Sequence, residues 1–170
     1  MRFILWVRSK AYAGLDCPFP TQEALEDASK DLAGHISDGE LSVYQCDSTP
    51  DLHMVAVARS LKVTEQHFDY LEFTDVQVKK AKLQLNRTTG YLDLKEANAL
   101  HWDLSIRLCE VPVFMEELHR FWKHLARKHF VERILSKELR RIAQTDPRFA
   151  GRVPIGHWLL RTHSSSPSSP

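Results

Sequence analysis

The 170-residue sequence predicts an α+β fold, with a small mixed or antiparallel sheet, two N-terminal helices and a long, basic C-terminal helical segment that is either continuous or broken. Three observations support this class. Strand-like and helix-like segments alternate near the N terminus, several strand patterns with turn residues follow, and apolar residues at helical spacing return near the C terminus. Hydrophobic residues make up 43% and charged residues 26%, as in a globular domain rather than a disordered chain.

The first strand and the first helix follow from local signals. Five apolar residues in a row predict a buried strand at 3–7. After a loop with two prolines, Thr21 has the side chain of an N-cap and Glu23 places an acid in the first turn. Apolar residues at helical spacing then predict a helix over 22–34.

The second strand and the second helix are predicted in the same way. Asp38-Gly39 has the composition of a tight turn, and alternating residues at 41–44 predict a strand. Thr49 is the expected N-cap of the next helix, with Pro50 at its first helical position. This helix is expected to run to about Leu61.

The middle of the chain predicts more strands. Residues 68–76 and 81–85 have the composition and alternation of a third and a fourth strand. A polar turn at 86–90 then predicts a hairpin whose returning strand is 91–94. Hairpins join antiparallel neighbours, which is why the sheet is expected to be mixed or antiparallel.

The clearest predicted strand is 101–109, because apolar and polar residues alternate through it. One face is Trp102, Leu104, Ile106 and Leu108, and the other is His101, Asp103, Ser105, Arg107 and Cys109. His101 and Asp103 together have the chemistry for acid–base catalysis, and Arg107 that for binding a phosphate or carboxylate. An ordinary solvent-facing strand surface explains the same row and is favoured, since no second element supplies a nucleophile or a metal.

Residues 115–143 predict a strongly basic, amphipathic helical segment. The apolar residues of its first half cluster around Leu118 on a helical wheel, and those of its second half lie nearly opposite. This second stripe consists of Val131, Ile134, Leu135 and Ile142. One straight helix cannot bury both stripes on one surface. The sequence therefore predicts either a break near Arg127–His129 or a continuous helix that packs on opposite sides in its two halves.

The charges are divided unevenly along the chain. Residues 120–161 contain 11 Lys/Arg and 3 Asp/Glu, a formal charge of +8, whereas the remainder contains 12 bases and 19 acids, a formal charge of −7. Such a division is typical of a protein with an anionic partner, and it equally fits two parts of one fold that attract each other. These two explanations stay open at this point.

The remaining bulk features predict one domain over 1–162, a disordered Ser/Pro tail at 163–170 and a cytoplasmic protein. The N-terminal apolar stretch is too short for a good signal peptide and is followed by basic residues rather than by a cleavage site. No apolar run is long enough to span a bilayer. The three cysteines lack metal-ligand or disulfide spacing. Of the nine histidines, His119, His124 and His129 are spaced by five and cannot share one helix face, and the four at 35, 53, 67 and 157 lack a close acidic or cysteine partner in sequence. No cofactor, metal site or catalytic residue set is predicted.

The favoured function is a non-catalytic interaction or accessory module that contacts a protein partner, or a second copy of itself, through the basic segment. The predicted contact residues are Arg120, Lys123, Arg127, Lys128, Arg133, Lys137, Arg140 and Arg141, with apolar contacts from Val131, Ile134, Leu135 and Ile142. The alternative is a nucleic-acid-binding accessory protein with DNA or RNA as partner, because aromatic residues interleave with the bases. A small hydrolase or nuclease that uses His101 and Asp103 is the third and weakest hypothesis.

Overall fold

The computed structural model describes residues 1–62, 67–125 and 127–160 and contains one six-stranded sheet. The strands are β1 (Arg2–Trp6), β2 (Glu40–Gln45), β3 (Phe68–Thr74), β4 (Gln84–Arg87), β5 (His101–Ser105) and β6 (Glu132–Ile134). Their order is β4-β5-β2-β1-β3-β6, and every neighbouring pair is antiparallel. The α+β class is confirmed, and the sheet is antiparallel rather than mixed.

Helices cover both faces of the sheet. They are α1 (Gln22–Ala33), α2 (Thr49–Ser60), α3 (Asp75–Lys80), α4 (Lys95–Asn98), α5 (Val111–His124) and α6 (Ser136–Thr145). Helices α2, α4 and α6 bury their apolar residues on one face, called here the α2 face, and α1, α3 and α5 do so on the other, the α5 face. Successive strand residues point to opposite faces, so Ile4 belongs to the first core and Phe3 and Leu5 to the second.

The first helix start and the first turn are as expected, and the second helix start differs by one residue. The Thr21 hydroxyl accepts a hydrogen bond from Ala24 N at 3.1 Å at the start of α1. At α2 the cap is Ser48, whose Oγ accepts from Asp51 N at 3.2 Å, so the prediction of Thr49 was wrong by one residue. Asp38 and Gly39 both have positive φ, 53° and 79°, as a two-residue hairpin turn requires.

Two predicted strands in the middle of the chain are shorter than expected. β3 ends at Thr74 rather than at 76, because the Thr74 hydroxyl accepts from Val76 N and so starts α3. Ala81 closes that helix, and β4 begins only at Gln84. The residues after Thr74 have strand propensity, but the N-cap of α3 at Thr74 starts a helix there instead.

The predicted hairpin of 91–94 with the fourth strand is wrong, because β4 pairs instead with β5. The chain at 91–94 is held as a loop by Asn98, whose side chain accepts from Leu92 N and donates to Leu92 O, both at 2.7 Å. The strand predicted at 101–109 ends at Ser105. Residues 108–110 form a 3-10 turn in which Leu108 is 66% exposed, so the predicted alternation fails there.

The C-terminal segment is broken, and its two helices lie on opposite faces of the sheet. α5 packs Leu118 and Trp122 on the α5 face, and α6 packs Leu139 and Ile142 on the α2 face. The helical conformation expected for the residues between the two helices is wrong at 132–134, because these residues form β6 and pair with β3. The first apolar stripe thus belongs to α5, whereas the second is divided: Ile142 lies in α6, and its other three members lie in or beside β6 at the edge of the sheet.

Two further expectations concern the ends of the chain and the membrane. The predicted tail at 163–170, with the last two residues of the predicted domain, lies outside the described residues. Within 1–62, 67–125 and 127–160, helices are all too short or too polar to cross a membrane.

Candidate ligand-binding site

A row of polar side chains crosses the α2 face of the sheet where β1, β2 and β5 lie side by side. Tyr44 stands opposite His101 and Ser42 opposite Asp103 in the β2–β5 register. The alternation of β2 places Leu41 and Val43 in the core of the α5 face, so Ser42 and Tyr44 point to the α2 face. The side chain of Asp103 follows the same direction from β5.

A cavity of about 310 Å³ lies between this row and the helix α2. That volume is at the lower end of the range for small-molecule sites, about 300–1,000 Å³. Its lining includes Trp6, Ser42, Tyr44 and Asp103 from the sheet, Val55 and Arg59 from α2, His35, Ser37, Asp38 and Glu40 around the turn before β2, and Tyr91. The exposed side chains of Asp38, Glu40 and Tyr91 mark the opening.

Two residues that line this cavity each carry a buried polar atom without a hydrogen bond to any described residue: Tyr44 at its hydroxyl and Arg59 at its Nε. Tyr44 is 6% exposed, and burial raises the pKa of its hydroxyl, with a smaller contribution from Tyr91. The phenol therefore stays neutral and can either donate or accept a hydrogen bond. Most buried polar atoms in folded proteins are paired. Trp102 Nε1 and Trp158 Nε1 are also buried without a hydrogen-bond partner among the described residues, and what distinguishes Tyr44 and Arg59 is that both residues line one cavity.

Arg59 and Trp6 form one wall. The Arg59 guanidinium carbon lies 4.8 Å from the centre of the Trp6 ring, a cation–π contact that orients the guanidinium. His35 packs edge-on against Trp6 at 5.3 Å and lies 3.4 Å from an Asp31 carboxylate oxygen. Burial lowers the pKa of His35 despite Asp31, so the cationic group of this wall at neutral pH is Arg59.

Asp103 lines the opposite side of the cavity, and His101, two residues before it on β5, does not line the cavity. His101 is 3% exposed, and its Nδ1 lies 2.8 Å from the Thr88 hydroxyl. Its Nε2 lies 3.6 Å from Asp103 Oδ1, beyond hydrogen-bond distance. Burial lowers the pKa of His101, although Asp103 and then Glu40 act to raise it. The imidazole next to the Asp103 carboxylate is therefore neutral at neutral pH.

The cavity thus combines aromatic walls, a guanidinium, a neutral phenol and a carboxylate. Such a set can bind a flat molecule and hydrogen-bond both its acceptors and its donors. Among the described residues, neither Ser37 nor Ser42 of the lining has a hydrogen bond to His35, and His101 does not line the cavity, so a nucleophile paired with a base is not formed there. In the described parts of the chain, no group of three His, Cys, Asp or Glu residues could hold a metal ion.

The predicted basic contact residues are not brought together on one surface. Arg120 and Lys123 lie on α5, Lys137, Arg140 and Arg141 lie on α6 across the sheet, and Arg127, Lys128 and Arg133 lie between the helices. Arg120 pairs with Glu117, and Arg141 pairs with Glu138 at 2.7 Å.

Two bases between the helices attach the segment to the sheet. Arg133 contacts the buried Asp69 at 2.6 Å, and Arg127 contacts Glu72 at 3.0 Å, both acids of β3. Lys128 and Lys137 are exposed, and Arg140 stacks 5.8 Å from the Trp158 ring.

The predicted apolar contact residues differ in burial. Ile134 is 7% and Ile142 4% exposed in the core of the α2 face, and Val131 is half-buried. Leu135 is 60% exposed. This chain therefore covers most of the second stripe, and Leu135 is the member left open to a contact.

Sequence reasoning identified Asp103 but missed Trp6, Tyr44, Arg59 and Tyr91. Each of them has an ordinary explanation in its own element, as a strand or loop aromatic or as a helix surface base. Arg59 alone carries a usable signal, because it stands in an otherwise apolar stretch of α2 that is buried on both sides of it.

The comparisons with known proteins found no matching family model, no matching curated protein and no matching solved structure.

Proposed function

We propose that this protein is a binding domain for a small organic ligand, and that its site is the cavity between α2 and strands β1, β2 and β5. The observation that carries the proposal is Tyr44, a cavity-lining residue that is 6% exposed and whose buried hydroxyl has no hydrogen-bond partner among the described residues. The unpaired Nε of Arg59 at the same cavity supports it.

The energetic argument concerns the cost of these groups. A buried polar atom without a partner costs about 1–3 kcal/mol of stability. Two such atoms at one cavity cost the fold more than an apolar core of the same shape would. A ligand that pairs with both recovers this free energy on binding, which is how binding sites trade stability for affinity.

Binding is favoured over hydrolysis by the position of His101. A general base must reach the proton that it removes, directly or through one water. His101 does not line the cavity, and the rings of Tyr44 and Tyr91 lie 5.1 and 6.1 Å from it. Hydrolysis by His101 and Asp103 is accordingly the weaker hypothesis.

The test is a ligand-observed NMR screen of a fragment library against the protein and a variant with a filled cavity. Ser42→Phe adds a ring inside the cavity, and Thr145→Phe adds the same ring on the exposed end of α6 as a control. We expect fragments that bind the wild type and Thr145→Phe but not Ser42→Phe. Fragments that bind all three equally, or no binding at all, would contradict the proposal.

A second proposal keeps the partner contact expected from the sequence, now confined to the α5 surface, with an acidic protein as partner. The observation that favours it is Phe19, which is 88% exposed and lies 5.1 Å from Lys123 Nζ. An exposed aromatic ring beside a base is typical of an interaction surface.

Affinity capture from the source cells tests this contact. The variant is Phe19→Ala with Lys123→Glu, and the control is Lys80→Glu with Lys95→Glu, at exposed lysines of α3 and α4. An acidic protein captured by the wild type and the control but not by the variant supports the proposal. A salt-dependent shift with DNA or RNA instead, or no capture, counts against it.

A further inference from the structure

We infer that the ligand of this cavity is a planar aromatic compound that carries an acidic group on one side and a hydrogen-bond donor on the other. The inference rests on the proposed function, since it names the chemical class that the cavity would take. It follows from three features of the lining that lie at different places around the cavity.

The first feature is a pair of aromatic side chains on neighbouring strands. Ile4 of β1 pairs with Tyr44 of β2, which makes Trp6 and Tyr44 diagonal neighbours on the same face. Diagonal neighbours lie about 7–8 Å apart. Both line the cavity, and Tyr91 adds a third ring at its opening. Aromatic surfaces at this spacing favour a flat ring over a branched or saturated ligand.

The second feature is the guanidinium of Arg59. It is fixed over the Trp6 ring at 4.8 Å, its Nε has no hydrogen bond, and no carboxylate of the described residues pairs with it. An oriented guanidinium with free donors binds carboxylate and phosphate groups through paired hydrogen bonds. The β1 side of the cavity is therefore suited to an acidic group.

The third feature is Asp103 on β5. Its side chain is 13% exposed, and the titratable group beside it is His101 at 3.6 Å. Burial lowers the pKa of His101, so this imidazole is neutral and does not balance the negative charge of Asp103. A carboxylate accepts hydrogen bonds and cannot donate them. The β5 side is therefore suited to an N–H or amino group.

The spacing of the strands sets the size of the ligand. β1 and β5 are separated by β2, and neighbouring strands lie about 4.8 Å apart. The distance across the sheet from Trp6, which carries Arg59 over its ring, to Asp103 is therefore roughly 10 Å. An aromatic ring with an acid on one side and an amino or ring N–H group on the other spans this distance. Nucleotides and indole-type carboxylic acids share this chemistry.

Isothermal titration with matched acidic and neutral probes tests the inference. The phosphate arm compares AMP, GMP, CMP and UMP with their nucleosides, and the carboxylate arm compares indole-3-acetate with indole-3-ethanol. We expect at least one acidic probe to bind about tenfold tighter than its neutral counterpart, the effect of one charge-assisted hydrogen-bond pair. The arm that shows the preference identifies the source of the acid.

Variants locate the preference. Arg59→Met keeps the length of the side chain and removes the charge, and we expect it to abolish the preference, whereas Arg59→Lys retains part of it. The matched control is Arg87→Met, since Arg87 stacks on another tryptophan, Trp102, at 5.9 Å and does not line the cavity. Asp103→Asn should weaken the acidic and the neutral probe alike, and circular dichroism establishes that each variant is folded.

The outcomes separate this inference from the proposed function. If fragments bind the wild type but not Ser42→Phe, and no acidic probe binds more tightly than its neutral counterpart, the ligand class is wrong and the binding site stands. If the preference survives in Arg59→Met, or is lost equally in Arg87→Met, the assignment to Arg59 is overturned. If neither fragments nor probes bind, both proposals fail.

Discussion

Replacing Tyr44 with phenylalanine removes the unpaired hydroxyl and leaves its ring in the core of the α2 face. In most proteins this change loses a hydrogen bond and destabilises the fold. Here the hydroxyl is buried and has no partner among the described residues, in a residue that is 6% exposed. Removing a buried group whose desolvation is not compensated should therefore raise the free energy of unfolding of the ligand-free protein.

The size of the gain follows from the cost of one such group. At the lower end of the range of 1–3 kcal/mol, we expect an increase of about 1 kcal/mol, or a rise in Tm of about 2–4 °C for a chain of this length. Urea denaturation followed by circular dichroism measures it. Tyr70→Phe is the control, at a tyrosine that is 8% exposed in the same core but does not line the cavity. A loss of 1 kcal/mol or more in Tyr44→Phe would refute the reasoning.

Three further predictions concern stability. Burial lowers the pKa of His101, so the imidazole binds a proton more readily in the unfolded chain than in the folded protein. The free energy of unfolding should therefore fall as pH drops below about 6.5. In urea titrations from pH 7.5 to 5, the variant His101→Gln should show a smaller fall. Arg133→Met should cost about 2 kcal/mol in urea denaturation, because it removes a partner of the buried Asp69 carboxylate, and adding Asp69→Asn should restore part of it. Ile142→Ala should cost about 2–4 kcal/mol and Leu135→Ala less than about 0.5 in the same assay; equal effects would mean that this chain does not cover the second stripe.

The parts of the fold that the sequence predicted are those with local causes. The Asp38-Gly39 turn needs two residues that tolerate positive φ, and the cap at Thr21 needs only its own hydroxyl and the next turn. β6 could not be predicted in this way. Its three residues pair with β3 more than sixty positions earlier, and the Arg133–Asp69 ion pair that accompanies the pairing is invisible in either segment alone.

The candidate site shows the same limit. Asp103 was found because the alternation of its strand placed it on a polar row, which is a local pattern. Arg59 and Trp6 come from a helix and a strand that the sequence separates by more than fifty residues, and only the structure shows that they are 4.8 Å apart in the lining of one cavity. A site assembled from one or two residues of each of several elements leaves no motif, so spacing rules cannot find it.

The charge division now has a physical explanation within the chain. Arg127, Arg133 and Arg152 of the basic end contact Glu72, Asp69 and Glu96 of the acidic remainder, at 3.0, 2.6 and 3.2 Å. These contacts lie where the chain passes from α5 around the β6 edge to α6 and on toward α4. Exposed ion pairs contribute little to stability, but they do favour one placement of a segment over others. The attraction between the two parts of the chain therefore directs the C-terminal segment around the sheet, and α6, on the same face as α2, helps to enclose the core beside the candidate cavity.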